Sequence, residues 1–211
     1  MEKFYTIQEE QWNIRTHAFG LVLSFAGILP LTMKAVHEHS LKIFIAFLIY
    51  WIGVTTMFLA STLYHSAKVS PLRSRLNVFD HSAIYLTIAG SYTPISLLAL
   101  PHIWGIVVLV TVWLIAATGI ILKFFFIGRF SLLSTVMYVL MGWVIVIAIK
   151  PLIDSMQTAG LLWLLAGGLA YTIGAVLYQN KKLKFNHAIF HLFVLIGAAC
   201  HYVVVYFYCI N

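Results

Sequence analysis

Charge is what this sequence has least of. Of its 211 residues only 9% are Asp, Glu, Lys or Arg, while 62% are apolar and the mean hydropathy is +0.97. A soluble domain carries about 25% charged residues, so the composition excludes one and specifies an integral membrane protein. Cysteine is nearly absent. Cys200 and Cys209 fall nine residues apart in one predicted helix, a rise of roughly 13 Å that is too long for a disulfide. Acidic residues number six against 13 Lys and Arg. In a membrane chain that excess reports topology rather than nucleic-acid binding, and no nucleic-acid partner is expected. The last apolar run lacks a lysine, which excludes a retinal Schiff base. No span carries a midplane charge or a paired break, which argues against a transporter. The start, MEKFYTIQEEQW, lacks a basic n-region, so the first apolar run is expected to be a retained helix.

What the sequence has is apolar length. Seven runs near the roughly 20 residues that a bilayer requires lie at about 16–36, 41–66, 76–98, 103–123, 131–149, 158–179 and 186–208. The expected fold is all-α, a seven-helix transmembrane bundle over 16–208, after a cytoplasmic or interfacial segment at 1–15 with Trp12 at headgroup height. The basic residues divide unevenly between the two faces. Lys3, Arg15, Lys68, Arg73, Arg75, Lys123, Arg129, Lys181, Lys182 and Lys184 share the N-terminal side, and Lys34, Lys42 and Lys150 the other. The positive-inside rule then puts the N-terminus in the cytoplasm and the C-terminus outside. Pro94 predicts a kink in the outer half of span three. Ala166, Ala170 and Gly174 form a small-xxx-small stripe, which reads as close helix packing.

The few polar residues inside spans collect at one depth. In FNHAIFHLF, His187 and His191 are four apart, on one face of a helix, a spacing that can hold one metal ion. Span two ends on the same side with Ser61 and His65. Span three begins there with Asp80 and His81, and span one with Asn13 and His17. Taken singly, each has a bland reading: a hydrogen-bonded pair for His187 and His191, an interfacial anchor for His65, a helix cap for Asp80. Taken together, four helices present ionisable groups at one depth, where such groups face the bundle interior and pair with something. Three imidazoles plus an open fourth position describe a catalytic zinc site. We therefore expect His65, His187 and His191 as ligands of Zn2+, with Asp80 as acceptor or general base for a water and Ser61 bonding the water, a ligand or the substrate. No cysteine lies at this depth. His17 and His81 are expected to be structural members of the network. His201, about 15 Å deeper, is expected to be a buried hydrogen-bonding residue. His37, His39 and His102 fall in solvated loops.

Three blocks carry a resemblance over essentially the whole chain: EEQWNIRTHAFG at 9–20, STLYHSAK through NVFDHSAIYLTIAGSYTP at 61–94, and HAIFHLFVLIGAACHY at 187–202. The sequence resembles the hemolysin III family, the bacterial branch of the progestin and adiponectin receptor superfamily. The resemblance implies a multi-pass protein of the bacterial inner membrane with zinc near the cytoplasmic face. The family's zinc ligands match His65, His187 and His191, its site aspartate matches Asp80 and its serine matches Ser61. It implies a ceramidase-like hydrolase of lipid amides or esters, with membrane lipids as substrates. A non-enzymatic sensor of membrane state holding structural zinc is the second reading. Cytolysis, which the family name asserts, is the third, and no amphipathic or switchable segment supports it.

Overall fold

The computed structural model describes residues 5–68, 70–127 and 129–210; of the residues invoked above, Lys3 lies outside them. Among the described residues every regular element is a helix: α1 (Ile7–His37), α2 (Leu41–Ser66), α3 (Leu72–Pro94), α4 (His102–Phe126), α5 (Ser131–Gly142), α6 (Ile149–Ser155), α7 (Thr158–Gln179) and α8 (Asn186–Tyr208). A π-helical turn, Ile95–Ala99, extends α3, and a 3-10 segment, Val144–Ala148, joins α5 to α6. Seven of the resulting spans are long and apolar enough to cross a membrane. The protein is a multi-pass membrane protein.

The first span begins nine residues earlier than hydropathy indicates. Thr6 caps it, its hydroxyl accepting from the Glu9 backbone N–H at 3.2 Å. This is half of a capping box, written in the sequence as Thr6-Ile7-Gln8-Glu9. The segment expected at 1–15 and the first span are thus one continuous helix from Ile7 onward.

The helices form an open ring in which α4, α3, α2, α1, α8 and α7 pack in succession, and α5 leans on α3 and α7. Close approach sets the tight seams. Thr87 Oγ1 donates to the Gly53 carbonyl at 2.8 Å across α2 and α3. Between α7 and α8, Gly167 meets the His201 ring and Gly174 meets Phe193. The packing stripe on α7 is therefore Gly167, Ala170 and Gly174, which are buried, whereas Ala166 is exposed.

Two breaks interrupt the helices. Pro94 has no N–H for the α3 ladder, and the helix continues as the π turn instead of simply kinking. The second break, where α5 passes into the 3-10 segment after Gly142, is held by a side chain. There Tyr92 enters the gap: the Ile145 N–H donates to Tyr92 Oη at 3.0 Å, and that hydroxyl donates to the Gly142 carbonyl at 2.6 Å. The backbone groups freed by the break are thus satisfied within the protein, as a bilayer requires. Helix α5 buries only Met141, so it covers the interior without filling it. The space beneath is a cavity of about 370 Å³ lined mainly from α3, α5, α6, α7 and α8, with His17 of α1 and Met57 and Ser61 of α2.

At the outer end, α4 crosses the π turn through Gly105, and a β-carbon there would collide with the Ser96 carbonyl oxygen. Both partners are backbone and cannot rotate away. Gly105→Ala is expected to destabilise the fold by about 1–3 kcal/mol, read as a lower thermal unfolding midpoint in detergent. An unchanged midpoint would show that the two helices can part freely.

Candidate metal centre

Four helix ends build one cluster at the end of the bundle that carries most of the Lys and Arg. His65 lies in the last turn of α2, and His187 and His191 in the first turns of α8. The start of α8 is fixed from both sides. Phe185, its N-cap, has φ 57, a left-handed conformation that a non-glycine residue seldom adopts. Asn186 Nδ2 donates to the Tyr178 carbonyl at 2.6 Å, tying α8 to the end of α7. His187 follows in the first turn and His191 one turn later.

The three imidazoles are buried, and one ring nitrogen from each lies within 4.8 Å of the others. His65 Nε2 and His187 Nε2 are 3.1 Å apart. Each ring is held from behind by its Nδ1. His65 Nδ1 meets Glu10 Oε2 at 2.6 Å. His187 Nδ1 meets Tyr5 Oη at 3.0 Å. His191 Nδ1 donates to the Asn13 carbonyl at 3.2 Å, with Thr16 Oγ1 at 3.4 Å. A carboxylate, a phenol and a backbone carbonyl behind three histidines are the partners that orient metal-bound imidazoles and raise their basicity. Burial pushes the Tyr5 phenol above its ordinary value, so it stays protonated and available to His187.

The donor set fits a tetrahedral ion with three nitrogen ligands. Zinc–nitrogen bonds of about 2.0–2.1 Å place ligand atoms about 3.3 Å apart, close to the His65–His187 separation. Cys200 and Cys209 are free thiols that belong to the other end of α8. These three histidines can hold a metal ion.

Glu10 is the anchor that sequence reasoning missed. It also pairs with Arg73 at 2.5 Å, and Arg73 donates to the Ala67 carbonyl at 2.7 Å, closing the end of α2. One carboxylate thereby fixes His65, α1 and the α2–α3 turn. Glu10 lies within the first span, because α1 begins before it. A signal was present: Glu10, Asn13 and His17 follow the i, i+3, i+7 spacing of one helix face. Tyr5 had no such signal.

Asp80 and Ser61 are buried and line the cavity together with His187 and His191. Asp80 interacts electrostatically with His65 and with the Ser61 hydroxyl, although Ser61 Oγ has no hydrogen bond of ordinary length. Asp80 lies eight residues inside α3, which begins at Leu72, so it does not cap that helix. The His17 ring stacks on His191 with centroids 3.6 Å apart. His81 accepts at its carbonyl from Tyr138 Oη at 2.9 Å. His201 departs from expectation. Both its ring nitrogens are buried without a hydrogen-bond partner among the described residues, because α7 packs Gly167 and an aromatic ring against it and neither donates to nor accepts from those nitrogens. Its contact is edge-on to Tyr171 at 5.3 Å. His37, His39 and His102 are exposed as expected, although His37 ends α1 and His102 opens α4 and only His39 lies in a loop.

Comparison with known proteins agrees with this picture. The model of a family described as "Haemolysin-III related" matches residues 5–202. The chain is 42% identical over 207 residues to "Hemolysin-3 homolog" of Bacillus subtilis, covering 98% of this chain and 97% of that one. It is 42% identical over 202 residues to "Hemolysin-3" of Bacillus cereus, covering 96% and 92%. It is 33% identical over 215 residues to the human "Monocyte to macrophage differentiation factor", covering 96% and 85%. No solved structure matches. With the family model spanning nearly the whole chain and both Bacillus proteins matching end to end, the chain belongs to the hemolysin III family.

Proposed function

We propose that this protein is a zinc-dependent hydrolase that cleaves an amide or ester linkage of a membrane lipid at the inner leaflet of the bacterial plasma membrane. One observation carries the reading: three back-anchored imidazoles, with Asp80 and Ser61 beside them, stand at the end of an apolar cavity of about 370 Å³. A structural site has no use for such a cavity. Its walls, including Ile88, Ile145, Leu152, Leu164 and Val194, suit a hydrocarbon chain. The excess of basic residues at the site's end supports a cytoplasmic position for it.

Zinc, when bound, supplies Lewis acidity at this point. His65, His187 and His191 hold it, and Glu10, Tyr5 and the Asn13 carbonyl keep the three rings aimed. The Asp80 carboxylate takes a proton from the attacking water and returns it to the leaving nitrogen or oxygen. Ser61 Oγ is placed to orient that water or the lipid carbonyl. The cavity excludes bulk water and holds the acyl chain in register with Asp80.

A second reading rests on burial. The three histidines are closed off by Tyr5 and Glu10, as suits structural zinc in a regulator of membrane state. Asp80 separates the two. Asp80→Asn is expected to keep zinc and fold while lowering lipid hydrolysis about 10²–10⁴-fold; turnover at the wild-type rate would leave the structural reading in place.

The metal itself is tested by elemental analysis. Wild type is expected to carry one zinc per chain and a His187→Ala, His191→Ala double variant none. Equal zinc in both would sink the site. Glu10→Gln keeps size and removes charge, so it is expected to weaken zinc binding about 10–100-fold in competition with a chelator. Unchanged affinity would reduce Glu10 to a helix tether.

A further inference from the structure

Among the described residues, Lys123 is a cation without a counter-ion. It sits in the last turn of α4, only 6% exposed. Its Nζ donates to Ser134 Oγ at 2.5 Å and lies 5.6 Å from the centroid of the Tyr138 ring. Among the described residues no carboxylate comes within ion-pair distance of it. The acids are committed elsewhere. Glu10 belongs to His65 and Arg73, Asp80 faces the histidine cluster, Glu9 is in the first turn of α1, and Glu38 and Asp154 are at the opposite end of the bundle. An ammonium has three protons to donate. Burying one without an anion is costly, and an ionisable group in a membrane span implies a partner.

That partner has a place to bind. Ser134 and Tyr138, which hold Lys123, also line the cavity, as do Ser131, Thr135 and His81. Ser131 is exposed and opens α5, so this is the cavity's mouth at the basic end. No side chain caps α5, which leaves its first-turn N–H groups and the positive end of its dipole facing the mouth. The neighbouring His81 Nδ1 is buried without a hydrogen-bond partner. The Ser134 hydroxyl accepts from Lys123 and donates to the Phe130 carbonyl at 2.9 Å, so the groups here with donor capacity to spare are the ammonium and the helix end.

We propose that this mouth is an oxyanion subsite, in which Lys123, positioned by Ser134, and the first turn of α5 bind the phosphate or carboxylate of a lipid whose chain occupies the cavity. His81 and Asp80 both line the cavity, so the anionic group and the reacting linkage share one chamber. The substrate class is therefore an anionic lipid rather than a neutral amide. This last statement rests on the hydrolase reading; the binding site does not.

The test measures binding without turnover. Purified protein in neutral-lipid nanodiscs is titrated with dioleoylphosphatidate, with oleate and with neutral N-oleoylethanolamine, and zinc content is followed in parallel. Wild type is expected to bind both anionic lipids at least about tenfold more tightly than the neutral one. Lys123→Met is expected to abolish that preference with zinc unchanged, and Lys123→Arg to keep it. Should Lys123→Met fail to fold, Ser131→Asp places a carboxylate on the exposed rim and is expected to abolish the preference equally. Preference for phosphatidate alone assigns the subsite to phosphate, and competition by millimolar inorganic phosphate shows that the free ion suffices. The zinc-free His187→Ala, His191→Ala variant is expected to keep the preference, which separates this subsite from hydrolysis. Absence of a preference in wild type overturns the proposal. So does an undiminished preference in both Lys123→Met and Ser131→Asp, or an equal loss of neutral-lipid binding in Lys123→Met.

Discussion

Between His65 Nε2 and His187 Nε2 there is a gap of 3.1 Å that a proton or a metal ion must bridge. Unbridged, two lone pairs would face each other in a buried, low-dielectric setting, where the repulsion is largest. A single shared proton satisfies that pair alone. A metal ion satisfies the pair and the third ring together, which is why His191 matters. The rest of the cytoplasmic end is arranged to hold this gap open. Glu10, Tyr5 and the Asn13 carbonyl pull each Nδ1 outward, Arg73 holds Glu10, and Asn186 sets the height of α8. Remove the convergence and these bonds have no common purpose; with it they form one framework spanning α1, α2, the α2–α3 turn, α7 and α8.

The second constraint is the bilayer's refusal to solvate backbone. Each break in a helix has its own repair. Tyr92 satisfies the groups exposed where α5 gives way to α6, and the π turn after Pro94 keeps the Leu100 N–H bonded to the Ile95 carbonyl at 3.0 Å. The repaired break matters for function, because it leaves α5 and α6 lying over the interior without filling it. The tight seams, by contrast, are made where glycine lets a neighbouring helix approach, as at Gly53, Gly105 and Gly174.

Much of this could be read from the sequence. Seven apolar runs gave seven spans, and the shared depth of His65, His187 and His191 followed from helix direction and loop charge alone. The start of α1 could not be found that way. Glu9, Glu10, Asn13 and Arg15 lower the hydropathy of a segment that is nonetheless helical. Glu10 and Asn13 turn inward to the histidines, so their polarity marks the site and not the membrane surface. The Thr6 cap was the legible clue. The α7 stripe was misplaced by one residue at one position, since a run of Ala166, Gly167 and Gly168 offers three small residues and only packing selects Gly167. His201 carried no signal at all: whether a buried imidazole finds a partner depends on what the facing helix supplies.

The length of α1 has a mechanical corollary. Its 31 residues span about 46 Å at 1.5 Å each, against a hydrocarbon layer of about 30 Å. The excess must be taken up by tilt or by overhang into the headgroups. Because Glu10 and Asn13 ride on this helix and grip His65 and His191, the vertical position of α1 is also that of the histidine cluster. Bilayer thickness then becomes a control variable. A thicker or thinner leaflet shifts the headgroup plane relative to the histidine cluster, so on the proposed hydrolase reading the same chain would meet its lipid at different heights in different membranes.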